Sequence, residues 1–121
     1  MYLLGNILIA LVALLHVYFL VLEMFLWDTS YGRAAFGLDK AFATASKTLA
    51  ANQGLYNGFL AAGLAWGICL GEAGFSIKLF FLGCVIVAGI FGSLTVSRKI
   101  FFVQALPAII ALTIVFTVKV S

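Results

Sequence analysis

The feature that most restricts this sequence is an almost unbroken apolar run from residue 3 to residue 27. An α-helix needs about 20 apolar residues to cross the roughly 30 Å hydrocarbon core of a bilayer, so this run can cross once with some tilt. Hydrophobic residues make up 65% of the 121-residue chain and charged residues only 9%, which is far from the composition of soluble globular proteins. We therefore expect an integral membrane protein.

The apolar pattern recurs three more times along the chain. Lipid offers no hydrogen-bond partner to the backbone, so a spanning segment must be a helix or part of a closed barrel. The alternation typical of barrel strands is missing here. The sequence predicts an all-α fold, with a single integral membrane domain over residues 1–121 that forms an antiparallel, up-down-up-down bundle of four transmembrane helices. These helices are predicted at about residues 3–27, 50–70, 77–96 and 100–118.

The basic residues indicate orientation rather than nucleic-acid binding. The seven Lys and Arg give a net charge of +3 but are scattered, so nucleic acid is not an expected partner. Lys and Arg near helix ends favour the cytoplasmic side of a membrane. Five of them fall in the first and third connections and two on the other side, namely Arg33, Lys40, Lys47, Arg98 and Lys99 against Lys78 and Lys119. This bias predicts that both termini face the outside.

The first connection, residues 28–49, is longer than a turn and has a regular pattern of its own. Arg33, Lys40 and Lys47 recur every seven residues, so they would share one face of a continuous helix. The segment is only weakly amphipathic. We interpret it as a basic interfacial segment that contacts membrane lipid, either as a solvated helix or as an inward extension of the second span.

Polar side chains inside the predicted spans are few, and most fall in the same leaflet. Each needs an explanation, because burying ionisable or amide groups in hydrocarbon is costly. The order of the spans places the end of the first and third helices and the start of the second and fourth near the cytoplasm. The other leaflet holds almost nothing comparable. The set consists of His16, Glu23, Asn52, Gln53, Tyr56, Asn57, Thr95 and Gln104.

This set predicts an intramembrane polar pocket that opens to the cytoplasm, with His16 as its floor. Glu23 and His16 are the candidate catalytic acid or base, because burial can tune either group. The other six residues are candidate substrate-binding groups. Two alternatives stay open: the amides can serve as packing contacts between helices, and Glu23 can extend to the headgroups, where Trp27 also belongs.

Small residues recur every four positions on several helix faces, as in Gly54 with Gly58, Gly63 with Gly67, and Gly89 with Ser93. Such stripes allow membrane helices to approach each other closely. Because the second helix carries more than one stripe, we expect contacts beyond one chain and therefore a homo-oligomer.

The sequence indicates no familiar metal site. Cys69 and Cys84 are interpreted as buried thiols at different depths. One histidine cannot form the usual zinc ligand set, so no metal is predicted. His16 could be an axial haem ligand if a cavity adjoined it, and the cofactor stays unknown.

Several stretches together resemble the bacterial domain-of-unknown-function family thirteen-oh-four. The resemblance covers nearly the whole chain and implies a compact four-helix inner-membrane protein, with no particular reaction. The residues that carry it are His16, Glu23 and Trp27, then NQGLYNGFLAAGL at 52–64, GIFGSLT at 89–95 and QALPA at 104–108.

A weaker likeness is to the membrane glutathione-transferase and eicosanoid superfamily, whose members are trimers. Residues 52–57 lack the arginine and glutamate usual in that superfamily. The likeness therefore implies the architecture and a trimer rather than a dimer, and it does not imply glutathione binding.

The leading functional hypothesis is a membrane protein that binds or converts a small lipophilic molecule, as an isomerase or transferase would. One alternative is a small proton-coupled exporter, because small multidrug transporters are also four-helix proteins of about this length with one glutamate in the first helix. The other is a non-catalytic accessory subunit whose polar residues only fix helix packing.

Overall fold

The computed structural model describes residues 1–120, and nearly all of them are helical. Within this range there are five α-helices, a 3-10 turn at Gly71–Gly74 and a π-helical segment at Phe101–Ala105. The α-helices are α1 (Tyr2–Phe25), α2 (Ser30–Phe36), α3 (Lys40–Cys69), α4 (Phe75–Thr95) and α5 (Leu106–Val120). The prediction of an all-α protein is confirmed.

Three helical stretches in the described chain are long and apolar enough to cross a membrane, namely Tyr2–Phe25, Gly71–Thr95 and Phe101–Val120. They coincide with the first, third and fourth predicted spans. Helix α3 is longer than any of them at 30 residues, but its lysines and side-chain amides lower its hydropathy. A crossing by α3 stays a prediction.

The chain packs as two compact units, each described here by itself. The aliphatic unit comprises residues 1–14 and the chain from residue 60 onward, and the polar unit comprises residues 15–59. The aliphatic unit has a core of branched side chains and alanines, formed by Ile9, Val12, Leu64, Leu82, Val85, Ala108 and Ala111.

Close backbone contact between α4 and the π-helical segment depends on Gly89. A Cβ atom there would lie only 2.6 Å from the backbone nitrogen of Ala105. The π-helical segment precedes Pro107, whose ring nitrogen cannot donate to the carbonyl of Val103. The wider π turn is a common response where the regular helical hydrogen-bond ladder is interrupted.

The polar unit differs from the prediction in its connection between α1 and α3. Thr29 caps the short helix α2, with its Oγ1 atom accepting a hydrogen bond from the backbone N–H of Gly32 at 3.2 Å. Gly37 ends α2 in the left-handed conformation, at a φ of 65°. Asp39 then caps α3, because its Oδ1 atom accepts from the backbone N–H of Phe42 at 2.7 Å.

This break changes the interpretation of the three basic residues. Arg33 lies on α2, whereas Lys40 and Lys47 lie on α3. The prediction that they share one face of a continuous helix is therefore wrong. A seven-residue spacing places side chains on one face only within a single helix, and the left-handed Gly37 separates α2 from α3. Residues 40–49 extend the second long helix toward its N-terminus, which was one of the two alternatives for this segment.

Candidate functional site

The polar unit contains a buried acidic side chain with a direct polar partner. Glu23 of α1 is 4% exposed and Asn57 of α3 is 9% exposed. The Asn57 Nδ2 atom donates a hydrogen bond to the Glu23 Oε1 atom. The two residues are 34 positions apart in the sequence, so the packing of α1 against α3 brings them together.

Two glycines of α3 allow this close approach. A Cβ atom on Gly54 would lie 2.7 Å from Met24 Cγ and 3.0 Å from Glu23 Cβ. A Cβ atom on Gly58 would lie 2.7 Å from Leu20 Cδ1. These glycines flank Asn57, so the same helix face that brings the backbones close also presents the amide to Glu23.

His16 is fully buried and lies two helical turns before Glu23 on α1. Its ring packs edge-on against Phe19, with the ring centroids 5.5 Å apart and the planes at 71°. Seven residues of helix correspond to about 10 Å of rise, so His16 and Glu23 project from similar directions on α1. The structure thus buries both candidate acid–base residues.

The remaining predicted residues of α3 lie on its outer surface. Asn52 and Gln53 are exposed. Tyr56 is 62% exposed, and its ring centroid lies 5.9 Å from that of Phe59. Of the four polar residues predicted near the start of this helix, Asn57 contacts Glu23. The side chains of the other three are exposed.

The last two predicted residues lie in the aliphatic unit. Thr95 is exposed, and its Oγ1 atom donates to the carbonyl of Phe91 at 2.7 Å, one turn earlier on α4. Gln104 is half-buried within the π-helical segment. Their membership of a site with Glu23 stays a prediction.

A polar network follows the end of α1, and the sequence analysis did not identify it. The Trp27 Nε1 atom donates to Ser46 Oγ at 3.0 Å. Thr44 Oγ1 donates to Asp28 Oδ2 at 2.8 Å, and Arg33 pairs with Asp28 Oδ1 at 3.0 Å. The Thr44 hydrogen bond, aided by Arg33, lowers the pKa of Asp28 below its ordinary value. The network ties α2 and the first turns of α3 to the end of α1.

Sequence reasoning also missed a buried pair in the aliphatic unit. Lys78 at the start of α4 is 2% exposed, and its Nζ atom donates to Asn6 Oδ1 of α1 at 2.9 Å. The expectation that the predicted outer leaflet holds almost nothing comparable is therefore wrong. Lys78 had been counted only as an orientation charge, although a lysine and an asparagine inside apolar runs were themselves a signal.

The described residues contain no group of three or more His, Cys, Asp or Glu that could hold a metal ion. Cys69 is exposed and Cys84 is half-buried, and both are free thiols. The arrangement around Glu23 offers a carboxyl group, an amide and, two turns away, an imidazole. Such a set can bind a polar group or move a proton.

Comparison with known proteins identifies the family. Residues 10–116 match the family model described as a protein of unknown function (DUF1304). The chain is 36% identical over 104 residues to the uncharacterized protein YpaA of Lactococcus lactis subsp. lactis (strain IL1403), an alignment that covers 84% of this chain and 87% of that protein. No solved structure matches. The chain belongs to the DUF1304 family, as its sequence motifs had indicated.

Proposed function

We propose that this member of the DUF1304 family crosses the membrane four times and binds or converts a small lipophilic molecule at Glu23. The observation that supports this most directly is the buried carboxyl group of Glu23, hydrogen-bonded to Asn57 within a helix apolar enough to span a bilayer. An acidic residue in such a segment is costly to bury and usually serves a function.

In this proposal Glu23 accepts or donates a proton, or binds a polar group of the ligand. Asn57 is a positioning residue, because its amide fixes the carboxyl oxygen that it contacts. His16 is the second candidate acid or base on the same helix. Asn52, Gln53, Tyr56, Thr95 and Gln104 complete the proposed set of substrate-binding residues.

A fourth span through α3 is part of the proposal. A helix of 30 residues is about 45 Å long at 1.5 Å per residue, which exceeds the roughly 30 Å hydrocarbon core. We propose that residues 50–69 cross the bilayer and that residues 40–49 lie outside it. The contacts of Thr44 with Asp28 and of Ser46 with Trp27 support this division, since an indole beside a polar network is typical of a membrane interface.

Four crossings in the inner membrane place both termini on the same side, and the five-to-two basic bias puts that side outside. Reporter fusions at the C-terminus test this orientation. A reporter that works only outside the cytoplasm should be active there. Activity of a cytoplasm-only reporter would reverse the orientation without changing the fold.

We further propose that the protein is a homo-oligomer, a trimer rather than a dimer. The glycine stripes no longer provide the main support, because Gly54 and Gly58 pack on α1 and Gly63 packs on Phe81 within one chain. The support comes from the exposed side chains of α3, where Asn52, Gln53 and Tyr56 would gain partners from a second copy. Native mass spectrometry counts the subunits, and a monomer would contradict this proposal alone.

The central test compares Glu23→Gln with wild type after gentle extraction from the membrane. The substitution keeps the shape of the side chain and its capacity to accept from Asn57 while it deletes the ionisable group. Asp39→Asn is the matched control, because it also changes an acid to an amide, at an exposed position where either residue can cap a helix.

We expect native mass spectrometry to show a co-purified lipophilic molecule on wild type and on Asp39→Asn that is lost from Glu23→Gln. Retention by Glu23→Gln would contradict a ligand site at this residue. Loss of drug resistance in cells, with no bound molecule on wild type, would instead identify an exporter. If Glu23→Gln behaves as wild type in every assay, the carboxyl group of Glu23 serves only in helix packing.

A further inference from the structure

The aliphatic unit contains a cavity of about 220 Å³. Its walls come from the start of α1, the 3-10 turn, the start of α4 and the end of α5. None of the residues predicted to form the site around Glu23 lines it. The lining residues that matter here are Tyr2, Asn6, Glu72, Phe75, Lys78 and Lys119.

The buried wall of the cavity carries the ammonium group of Lys78. Its Nζ atom donates to Asn6 Oδ1 at 2.9 Å and lies 4.9 Å from the centroid of the Tyr2 ring. Both contacts stabilise a cation, the first through an acceptor oxygen and the second through the face of the ring. Gly67 makes room for the stem of this lysine, since a Cβ atom there would lie 2.8 Å from Lys78 Cγ.

These contacts leave the ammonium group incompletely neutralised. A lysine ammonium has three N–H donors, and one of them is used by Asn6. Along residues 1–120 no carboxylate forms an ion pair with Lys78. A buried charge is stabilised best when an opposite charge accompanies it. An anion in the cavity would supply that charge.

A second lysine reinforces the positive character of the cavity. Lys119 near the end of α5 is exposed and lies with its Nζ atom 5.4 Å from the centroid of the Phe75 ring. The two lysines outnumber the single acidic residue of the lining, Glu72. Apolar lining residues such as Val115 and Val118 would suit the glycerol and first methylenes of a lipid.

We propose that this cavity binds the phosphate group of an anionic membrane phospholipid, with Lys78 as the buried cation and Lys119 as the exposed one. Lysine binds phosphate as a point charge, and basic side chains near a membrane surface attract anionic lipid headgroups. The site is independent of Glu23, so the proposal stands whether or not a ligand binds there.

The experiment measures lipid retention by native mass spectrometry on full-length protein titrated with phosphatidylglycerol or with phosphatidylcholine. Wild type should retain phosphatidylglycerol preferentially. Lys78→Met keeps an unbranched apolar stem and deletes the charge, and it should weaken retention by about tenfold or more, the size of a lost charged hydrogen bond. Lys119→Gln should weaken it by about fivefold, and because this residue is exposed, the fold is not at risk.

Two further variants keep the proposal falsifiable should Lys78→Met fail to fold. Asn6→Asp would place a carboxylate beside Lys78 and should lower retention by competing internally with the phosphate. Lys99→Gln removes an exposed lysine that follows the opposite end of α4 from Lys78 and does not line the cavity, so this variant should retain the lipid as wild type does.

Equal retention of the two lipids by wild type, or unchanged retention in Lys119→Gln and Asn6→Asp, would overturn the proposal. A competition experiment with inorganic phosphate distinguishes a lipid from free phosphate as the ligand. If it displaces phosphatidylglycerol at millimolar concentration, the site recognises free phosphate and the assignment to a lipid is wrong. If it does not, the lipid is the source of the phosphate group.

Discussion

Each of the two units buries an ionisable side chain against an asparagine. The polar unit buries an acid, Glu23, and the aliphatic unit buries a base, Lys78. In the polar unit the Asn57 amide donates to the Glu23 carboxyl group, and in the aliphatic unit the Asn6 carbonyl oxygen accepts from the Lys78 ammonium. An asparagine side chain can serve either charge, because it carries both a donor and an acceptor. The residue type alone therefore does not reveal which charge it will serve.

The surroundings of the two pairs differ as well. Glu23 lies at a close helix contact where a Cβ atom on Gly54 would approach within 3.0 Å of it. Lys78 instead borders a cavity of about 220 Å³. The acid is fixed by close backbone packing, whereas the base has space beside it. We therefore expect substitutions beside Glu23 to lower stability more than substitutions beside Lys78.

The largest effect should come from adding a methyl group to glycines that pack on backbone. A Cβ atom on Gly32 in the polar unit would lie 1.8 Å from the Leu26 carbonyl oxygen, and one on Gly74 in the aliphatic unit 2.0 Å from the Gly67 carbonyl oxygen. Gly32→Ala and Gly74→Ala should each lower the free energy of unfolding by about 3 kcal/mol, because backbone cannot move aside cheaply.

Thermal unfolding in detergent, followed by circular dichroism, measures these losses. Gly83→Ala is the control, since a Cβ atom there would meet nothing within 4 Å. It should be neutral or stabilise the helix by up to about 1 kcal/mol. If only one unit is sensitive to its glycine substitution, the two units do not depend equally on backbone packing.

An intermediate effect should separate the two buried pairs directly. Asn57→Ala leaves a short carboxylate buried without its amide partner and should cost about 2 to 3 kcal/mol. Asn6→Ala should cost about 1 kcal/mol, because the long lysine stem can carry the ammonium toward the cavity and water. Denaturant unfolding of both variants provides the comparison.

Thr48→Ala serves as the control for truncation of an exposed polar side chain of α3 and should change stability by no more than about 0.5 kcal/mol. If Asn6→Ala costs as much stability as Asn57→Ala, or more, the Lys78 ammonium depends on its amide as strongly as the Glu23 carboxylate does. The proposed distinction between a tightly packed acid and a more freely placed base would then be wrong.

The smallest effect concerns acid pH and the partly buried polar network that follows α1 in the polar unit. The pKa of Asp28 is lowered by Thr44 and Arg33, so its contribution to stability is fully present above the unfolded pKa of about 3.9 and is lost as pH falls through the lower folded value. Acid should therefore loosen the contacts around Trp27 before those around Trp66, which lies in the aliphatic unit.

Tryptophan fluorescence of single-tryptophan variants, Trp66→Phe and Trp27→Phe, follows each unit separately. Asp28→Asn should remove the acid response of Trp27, and Asp39→Asn, which changes an exposed aspartate outside this network, should keep it. A response of Trp27 that survives Asp28→Asn would assign the pH dependence to another group.

The need of Glu23 for a polar partner could be predicted from sequence, because its type and its place in an apolar run are visible without any packing information. The sequence could not predict which amide would contact Glu23. Asn52, Gln53 and Asn57 are all close in sequence, but successive helical residues point in directions about 100° apart. Only the contact of α3 with α1 decides that Asn57 faces inward and the other two outward.

The connection between α1 and α3 shows a similar division. Lys40 and Lys47 were correctly included in the alternative of an extended second helix. The helix boundary at Gly37 was missed, although a glycine before Asp39 is a common signal for the end of one helix and the cap of the next. The seven-residue spacing of the basic residues outweighed that local signal.

The sequence by itself determined the class of this protein, since uninterrupted apolar runs make helices of membrane-spanning length and its motifs identify the family. Only the tertiary structure decided which polar groups meet. Lys78 and Asn6 are 72 residues apart, and no periodicity in one helix encodes a contact with another. Such pairs depend on the rotation and depth at which helices pack, and these are set by small residues and side-chain shapes acting together.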